Sequence, residues 1–462
     1  MAKQQSRFAA AQQAAQAGVG SGGSELMQRI FFLIGALIVY RIGTHIPVPG
    51  VNPIAIATLF DQAGGSILDV LNLFSGGALE RMSLLALGVM PSISASIIMQ
   101  MLTSVYAPLK QLKQEGEAGR RKIAKYTKYG TVVLAIFQSL GMATAVSSQG
   151  TPGNPVVLID PTAFKITAVI TLVAGTMFLV WLGEQITDRG IGNGMSLIIF
   201  AGIVAGLPVA AGQTFELING GSISKAFGLI LLPLIFVVIA FVVFIERAQR
   251  RITINYAQRQ QGKRMMAAQS SYFPLKLNMA GVIPPIFASS IILFPASMIS
   301  FFGSDAVGGV AGVLRNVASH MAPGNLLYSV IYIVLIFFFA FFYTALTFDP
   351  NEIADNLKKQ GATVPGMRPG KQTAGYIDSV VGKLTFVGAI YLAFICLIPE
   401  VLNTKFGVPF YFGGTSLLII VVVIMDLISQ VQSHLMSSQY SSLMKKTNLT
   451  NSKSKGVGKR KR

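Results

Sequence analysis

Apolar residues in this chain gather into long runs, and short polar and basic segments separate them. A helix crosses a bilayer core with about 20 mostly apolar residues. On that measure the pattern predicts ten spans, near 26–46, 82–107, 129–147, 163–182, 195–211, 226–246, 277–302, 326–348, 379–398 and 413–434. Ten spans put both ends of the chain on one side. One stretch fits the pattern badly: LNLFSGGALERMSLLALGVMPSISAS, residues 71–96. Its first part is short and carries Glu80 and Arg81. Its middle is oily but broken by Gly88 and Pro91, and its end alternates Ser and Ala with Ile.

Composition agrees with a membrane protein. The chain is 52% hydrophobic and 12% charged, against about 25% charged residues in soluble domains. The single cysteine, Cys396, excludes a disulfide framework or a Cys-based metal cluster. The net charge of +19 gains meaning from its placement. Across the predicted topology the side opposite the termini holds at most Arg81, Lys165, Lys225, Arg315 and Lys405, and Arg41 falls within a span. The other basic residues lie with the termini, so that side is predicted to be cytoplasmic. The apolar run after Arg29 resembles a signal peptide, but RIGTHIPVPG follows it without a small-x-small cleavage pattern. It is read as a retained first span.

The expected organisation is a flexible N-terminal tail at 1–25, an N-terminal half at 26–212, a C-terminal half at 213–440 and a basic tail at 441–462. Three loops on the basic side exceed what connection demands. The first, at 108–128, contains EGEAGRRKIAKYTKY. The second, at 247–276, contains the alternating ITINYAQ and a basic tip at Gly262–Lys263–Arg264, and it predicts a hairpin finger. The third, at 349–383, sets Arg368 and Lys371 around MRPGK, a turn held by Pro and Gly. One or two charges per loop suffice to fix topology. Rigidly presented basic tips suggest docking onto phosphate backbones or acidic protein surfaces.

Catalysis has little support. His45, His320 and His434 are far apart in sequence and no H-E-x-x-H occurs. QRQQGKR lacks the leading glycine and the hydroxyl residue of a phosphate-binding loop, so the chain shows no means of hydrolysing a nucleotide. RGIGNGMS, 189–196, predicts a tight turn opening a span. No cofactor is expected. The candidate ionisable groups at membrane depth are Arg41 and Asp426, fewer than a solute carrier's polar midplane site requires. The kinked spans instead carry aliphatic residues at helical spacing. Val89 and Ile93 share a face, and Met195 and Ile199 repeat the spacing. Ile286 follows Pro284–Pro285, and Ile419 follows FGGTS.

FSGGAL, GVMPSISAS, QEGEAGRRKIAKYT, WLGEQIT with RGIGNG, NMAGVIP with IFASSIILFP, FYTAL, FICLIPE and VPFYFGGTSLLI together resemble the SecY family of protein-conducting channels, from about residue 25 to 447. The resemblance implies an all-α fold of ten spans in two inverted halves of five around an hourglass pore. It implies a pore ring of Val89, Ile93, Met195, Ile199, Ile286 and Ile419. Met195 stands where the family more often has Ile. The resemblance makes the damaged stretch a plug at about 67–81, including Ile67, Leu71, Phe74, Gly76, Gly77, Leu79 and Arg81. A plug sits in the external funnel and must leave it, so it has no need to span. A lateral gate carrying Ser96, Gln100, Gln138 and Asn278 is implied, as is docking of the motor ATPase SecA or the ribosome through Lys263, Arg264, Arg368 and Lys371. SecE and SecG are the implied companion subunits. The implied activity is passage of unfolded secretory chains across the bacterial cytoplasmic membrane and sideways release of transmembrane segments. The pore would be passive and driven by a partner. A secondary solute transporter is the alternative from another class. It explains broken helices but predicts a polar midplane site. An intramembrane enzyme comes third and lacks catalytic pairs.

Overall fold

The computed structural model describes residues 25–62, 72, 75–148, 150–151, 154–221, 224–256, 260–261, 264–265, 270–301, 325–406 and 414–457. The expectations for the N-terminal tail, for Ile67, Leu71 and Phe74 of the plug, and for Lys263 lie outside these residues.

The helices are α1 (Glu25–Gly43), α2 (Pro53–Gln62), α3 (Met90–Val105), α4 (Ala107–Gln114), α5 (Glu117–Ser148), α6 (Pro161–Arg189) and α7 (Gly194–Asn219), then α8 (Lys225–Arg247), α9 (Ile283–Phe301), α10 (Leu326–Thr347), α11 (Pro350–Lys359), α12 (Lys371–Phe406) and α13 (Gly414–Val457). Among the described residues, eight helices are long and apolar enough to cross a membrane: α1, α5, α6, α7, α8, α10, α12 and α13. The pair α3–α4 passes as a ninth if its 97° bend is taken as one broken span. The apolar part of α9 described in full, Ile283–Ile292, is shorter. Each predicted span position therefore carries a helix, although the edges differ. Helix α5 begins twelve residues before the predicted edge at 129 and α12 eight before that at 379, because both continue beyond the apolar zone through polar turns.

The largest difference is at the second span. Helix α3 starts at Met90, where the apolar pattern predicted 82. Met82 and Gly88 both have positive φ, at 43° and 57°. Residues 82–88 close as successive turns, with the amides of Ala86 and Gly88 bonded to the carbonyls of Ser83 and Leu85. Pro91 then opens the helix, where its missing N–H leaves no gap. Hydropathy reads these turns as span because they are buried; Leu85 is 1% exposed.

Helices α5, α6 and α7 pack in succession, with α3 against α5. Helices α9, α10 and α12 do likewise, and α12 continues onto α13. The two groups meet where α9 contacts α3 and α5, and where α13 lies against α7. Large apolar side chains such as Phe31, Phe236 and Val334 point outward, as expected where lipid replaces water.

The two later loops join into one platform. Strand β3 (Gln249–Tyr256) pairs antiparallel with β6 (Ser270–Lys276), numbering strands so that β1 (Gly150–Thr151) and β2 (Asn154–Pro155) precede them and β4 (Gln260–Gln261) and β5 (Arg264–Met265) form the tip. This is the predicted finger. Its other edge receives β7 (Ala362–Thr363) from the third loop. Ile252, Ile254, Leu275, Leu357, Val364 and Ile377 close a small core beneath the sheet. Ile252 and Ile254 point inward on alternate positions, as a half-buried strand requires.

Candidate functional site

The glycine-rich turn before α7 is built for close approach. Asn193 caps the helix, its Oδ1 accepting the Met195 amide at 3.1 Å. Gly194 lies so near the Gly183 carbonyl of α6 that a Cβ there meets backbone. Gly194→Ala is expected to lower stability by about 1–3 kcal/mol, as overpacking does. Thermal unfolding of the purified protein in detergent measures this, and a wild-type midpoint would remove the steric account.

This turn brings Met195 and Ile199 to the centre. Val89 and Ile93 arrive from the start of α3, Ile286 from α9 and Ile419 from α13. All six fall in one hydrophobic cluster with Leu33, Tyr40, Leu197 and Val423. Val89, Ile199 and Ile419 are buried, while Ile93, Met195 and Ile286 are partly buried against them. Six separate stretches of sequence, α6 among them through Leu179, Leu182 and Ile186, thus converge on one aliphatic knot. Met195 lies at its edge, with Sδ 2.6 Å from where a Cβ on Gly183 would stand, so its thioether also packs on α6.

Beside the knot lies a cavity of about 280 Å³. Leu197, Val282, Val423 and Leu427 belong to both its wall and the cluster or its packed shell. Its polar lining includes Glu246, Lys276, Asn278, Asp426 and Gln430. Glu246 was missed in the sequence because it sits at the basic end of a very apolar span, in FIERAQRR. The only advance signal was its place one residue inside the last basic residue of the helix.

The remaining predicted residues divide. Asn278 is 4% exposed, and its Nδ2 donates to Glu246 Oε1 at 2.7 Å and to the Gly281 carbonyl at 3.2 Å. Gln100 donates to Ser96 Oγ at 3.3 Å on its own helix, and Gln138 lies half-buried on α5. Gln100 therefore bonds within α3, and Asn278 bonds the carboxylate at the end of α8. A carboxylate in reach makes the stronger, charge-assisted bond. Ile97 of α3 is buried at 3% among side chains of α9, α10, α12 and α13, so the seam between α3 and α9 is shut by apolar packing.

At the plug, Gly76 and Gly77 have φ of 70° and 79°, which the paired glycines permit. Residues 76–81 form turns. Asn72 ties them: its carbonyl accepts the Gly77 amide at 3.0 Å and its Oδ1 the Glu80 amide at 3.0 Å. Leu79 is buried and Arg81 exposed. At the loop tips Arg264 belongs to β5, and Arg368 and Lys371 are exposed on a turn whose Gly366 and Gly370 have φ of 81° and 106°. The Arg368 carbonyl accepts from Thr373 Oγ1 at 2.9 Å, which fixes the turn. Among the described residues no group of His, Cys, Asp and Glu could hold a metal ion.

An aliphatic knot offers a passing solute neither charge nor hydrogen bond. It can exclude water and ions, and its side chains can part by changing rotamer. Solved structures with this arrangement of helices include a protein-conducting channel (17% identical, TM-score 0.63, covering 89% of this chain and 93% of that one). Another is a SecY protein whose plug domain is described as stabilising the closed state and maintaining a membrane seal (18%, TM-score 0.62, 89% and 93%). A third is Sec61 from a canine ribosome–channel complex of the endoplasmic reticulum (17%, TM-score 0.60, 89% and 93%). The fold is that of a multi-spanning protein-conducting channel.

A family model described as SecY matches residues 83–428. The chain is 58% identical over 439 residues to the protein translocase subunit SecY of Vibrio cholerae, covering 95% of this chain and 97% of that protein. It is 58% identical over 449 residues to that of Escherichia coli K12, covering 97% and 98%. The chain belongs to the SecY family.

Proposed function

We infer that this chain is the pore-forming subunit of a protein translocase, a channel without enzymatic activity of its own. It passes unfolded polypeptides across a membrane and releases transmembrane segments sideways into lipid. The observation that carries the gating reading is the convergence of Val89, Ile93, Met195, Ile199, Ile286 and Ile419 on one cluster. We assign that cluster as the pore ring. It is passive, so its seal must be opened by the substrate and by a partner that supplies the work.

The rest of the reading follows the packing. Residues 26–212 and 213–440 act as two halves that meet at α3–α9 and at α7–α13, a division that the helix contacts support. The α3–α9 seam is the lateral gate, carrying Ser96, Gln100, Gln138 and Asn278. Gln100 bonds within α3 and Asn278 to Glu246, and the seam itself is closed by apolar packing such as that of Ile97, so it can part without breaking those bonds. The plug is the segment ending at Arg81. We assign docking of SecA or a ribosome to Lys263, Arg264, Arg368 and Lys371, on two loops that the sheet of β3, β6 and β7 joins, and the ribosome-bound channel among the solved structures favours the latter as one partner. SecE and SecG complete the complex. The membrane is the bacterial cytoplasmic membrane, both termini being cytoplasmic, as the placement of basic residues supports.

Photocrosslinking tests this. A secretory chain stalled in transit is expected to crosslink to probes at positions 93, 199 and 286, and not to probes at lipid-facing Phe236 or Val334. Equal labelling of both sets would overturn the pore axis.

A further inference from the structure

Arg41 is a charged side chain near the end of a membrane helix, and the pore ring gives it no task. Such groups are costly at membrane depth and usually functional. Its Nη1 donates to the Gly76 carbonyl at 2.8 Å. The neighbouring Tyr40 donates from its hydroxyl to the Ser75 carbonyl at 3.1 Å. Two adjacent side chains of α1 therefore hold two adjacent carbonyls of the plug's neck. Among the described residues no carboxylate lies within ion-pair distance of Arg41.

The neck is pinched as well as tied. A Cβ on Gly76 would stand 2.9 Å from Gly202 Cα of α7 and 3.0 Å from the Tyr40 hydroxyl. Gly202 is three residues beyond Ile199, so it shares a face with that ring residue one turn away. Tyr40, 2% exposed, belongs to the same cluster as Val89, Ile199 and Ile419. Its ring packs with the constriction while its hydroxyl holds the neck. Beyond the neck the chain stays attached to the segment after α1, through the Val48 amide on the Met82 carbonyl at 2.9 Å and the Leu84 amide on the Ile46 carbonyl at 2.8 Å. The bonds from Tyr40 and Arg41 thus lie on the plug side of this attachment.

We propose that Tyr40 and Arg41 form a latch that holds the plug neck shut and couples its release to widening of the ring. The proposal rests on the channel reading. When a polypeptide parts the cluster, Tyr40 shifts with it and its bond to Ser75 is lost. Arg41 then holds Gly76 alone, and the neck leaves the face of Gly202. Both are positioning residues, since neither touches the substrate.

Ion leak of the purified, reconstituted channel complex at rest reads the latch. Arg41→Met keeps length and packing but removes the donors, and about a tenfold rise in leak is expected. Tyr40→Phe keeps the ring in the cluster, and about a threefold rise is expected, in line with one membrane hydrogen bond. Arg41→Lys, which retains a charged donor, should restore most of the seal. In cells, Arg41→Met should also export reporters with defective signal sequences better than the parent, whereas general loss of fold lowers all export. Ile93→Ser with Ile199→Ser serves as the control. Should that pair leak while Tyr40→Phe and Arg41→Met seal like the parent, the latch is wrong and the channel reading stands. Should the pair not leak, the ring assignment fails first. If Arg41→Met does not accumulate, Tyr40→Phe decides alone, and a parental leak there overturns the latch.

Discussion

Replacing Ile93 and Ile199 together with serine raises resting ion conductance of the reconstituted channel at least about tenfold, through loss of the dewetted constriction. Both positions lie in the central cluster, Ile199 at 4% exposure. A serine hydroxyl gives water a partner in the proposed constriction and removes most of the side-chain volume. The same loss of volume weakens packing, by about 2–5 kcal/mol per site if serine is no better than alanine. Conductance must therefore be compared at equal amounts of inserted, protease-resistant protein. Two isosteric changes, Ile93→Leu and Ile199→Leu, keep the cluster apolar and should keep the seal. A leak in the leucine pair equal to that in the serine pair would mean that shape rather than polarity closes the pore. Unchanged conductance in the serine pair would remove these residues from the constriction.

Arg368→Glu is expected to lower ATP-driven export into membrane vesicles at least about tenfold, since like charges across a docking surface cost several kcal/mol. The fold should not notice the change. Arg368 is exposed, and the turn beneath it is held without its side chain: the Met367 amide bonds the Val364 carbonyl at 3.1 Å and the Arg368 carbonyl accepts from Thr373 Oγ1. Exposed substitutions of this kind alter stability by about 0.5 kcal/mol or less. Export and insertion should therefore separate, with the variant present in normal amount but inactive. Normal export by Arg368→Glu would take the tip out of the docking surface. A salt dependence that is steeper in the parent than in the variant would locate the interaction as electrostatic.

Much of this molecule is legible from local chemistry. Long apolar runs gave the positions of the spans because lipid leaves a helix no other way to satisfy its backbone. The alternation of Ile252 and Ile254 gave the finger, and the glycines of RGIGNG gave the turn before α7. The six ring residues came from likeness to a family and from helical spacing, not from any signal of their own; aliphatic side chains in a greasy chain look alike. Other features escaped local reading. Hydropathy placed the second span eight residues early because turns at 82–88 are buried by their neighbours, and burial looks like membrane when only composition is read. Asn278 binds Glu246, thirty-two positions away in sequence, a partner that no local pattern names. The two late loops were read as separate, although Tyr256 and Ala362 pair them into one sheet.

By itself, then, the chain's sequence set which segments are apolar enough to enter the membrane and where glycine and proline interrupt a helix. Those properties depend on each segment's own transfer free energy and backbone freedom. Only the tertiary structure decided that six distant stretches meet in one aliphatic knot, that two loops share a sheet, and that Arg41 reaches the carbonyl of Gly76. Contacts of this kind depend on the relative placement of helices, and no local pattern of residues encodes a distance between them.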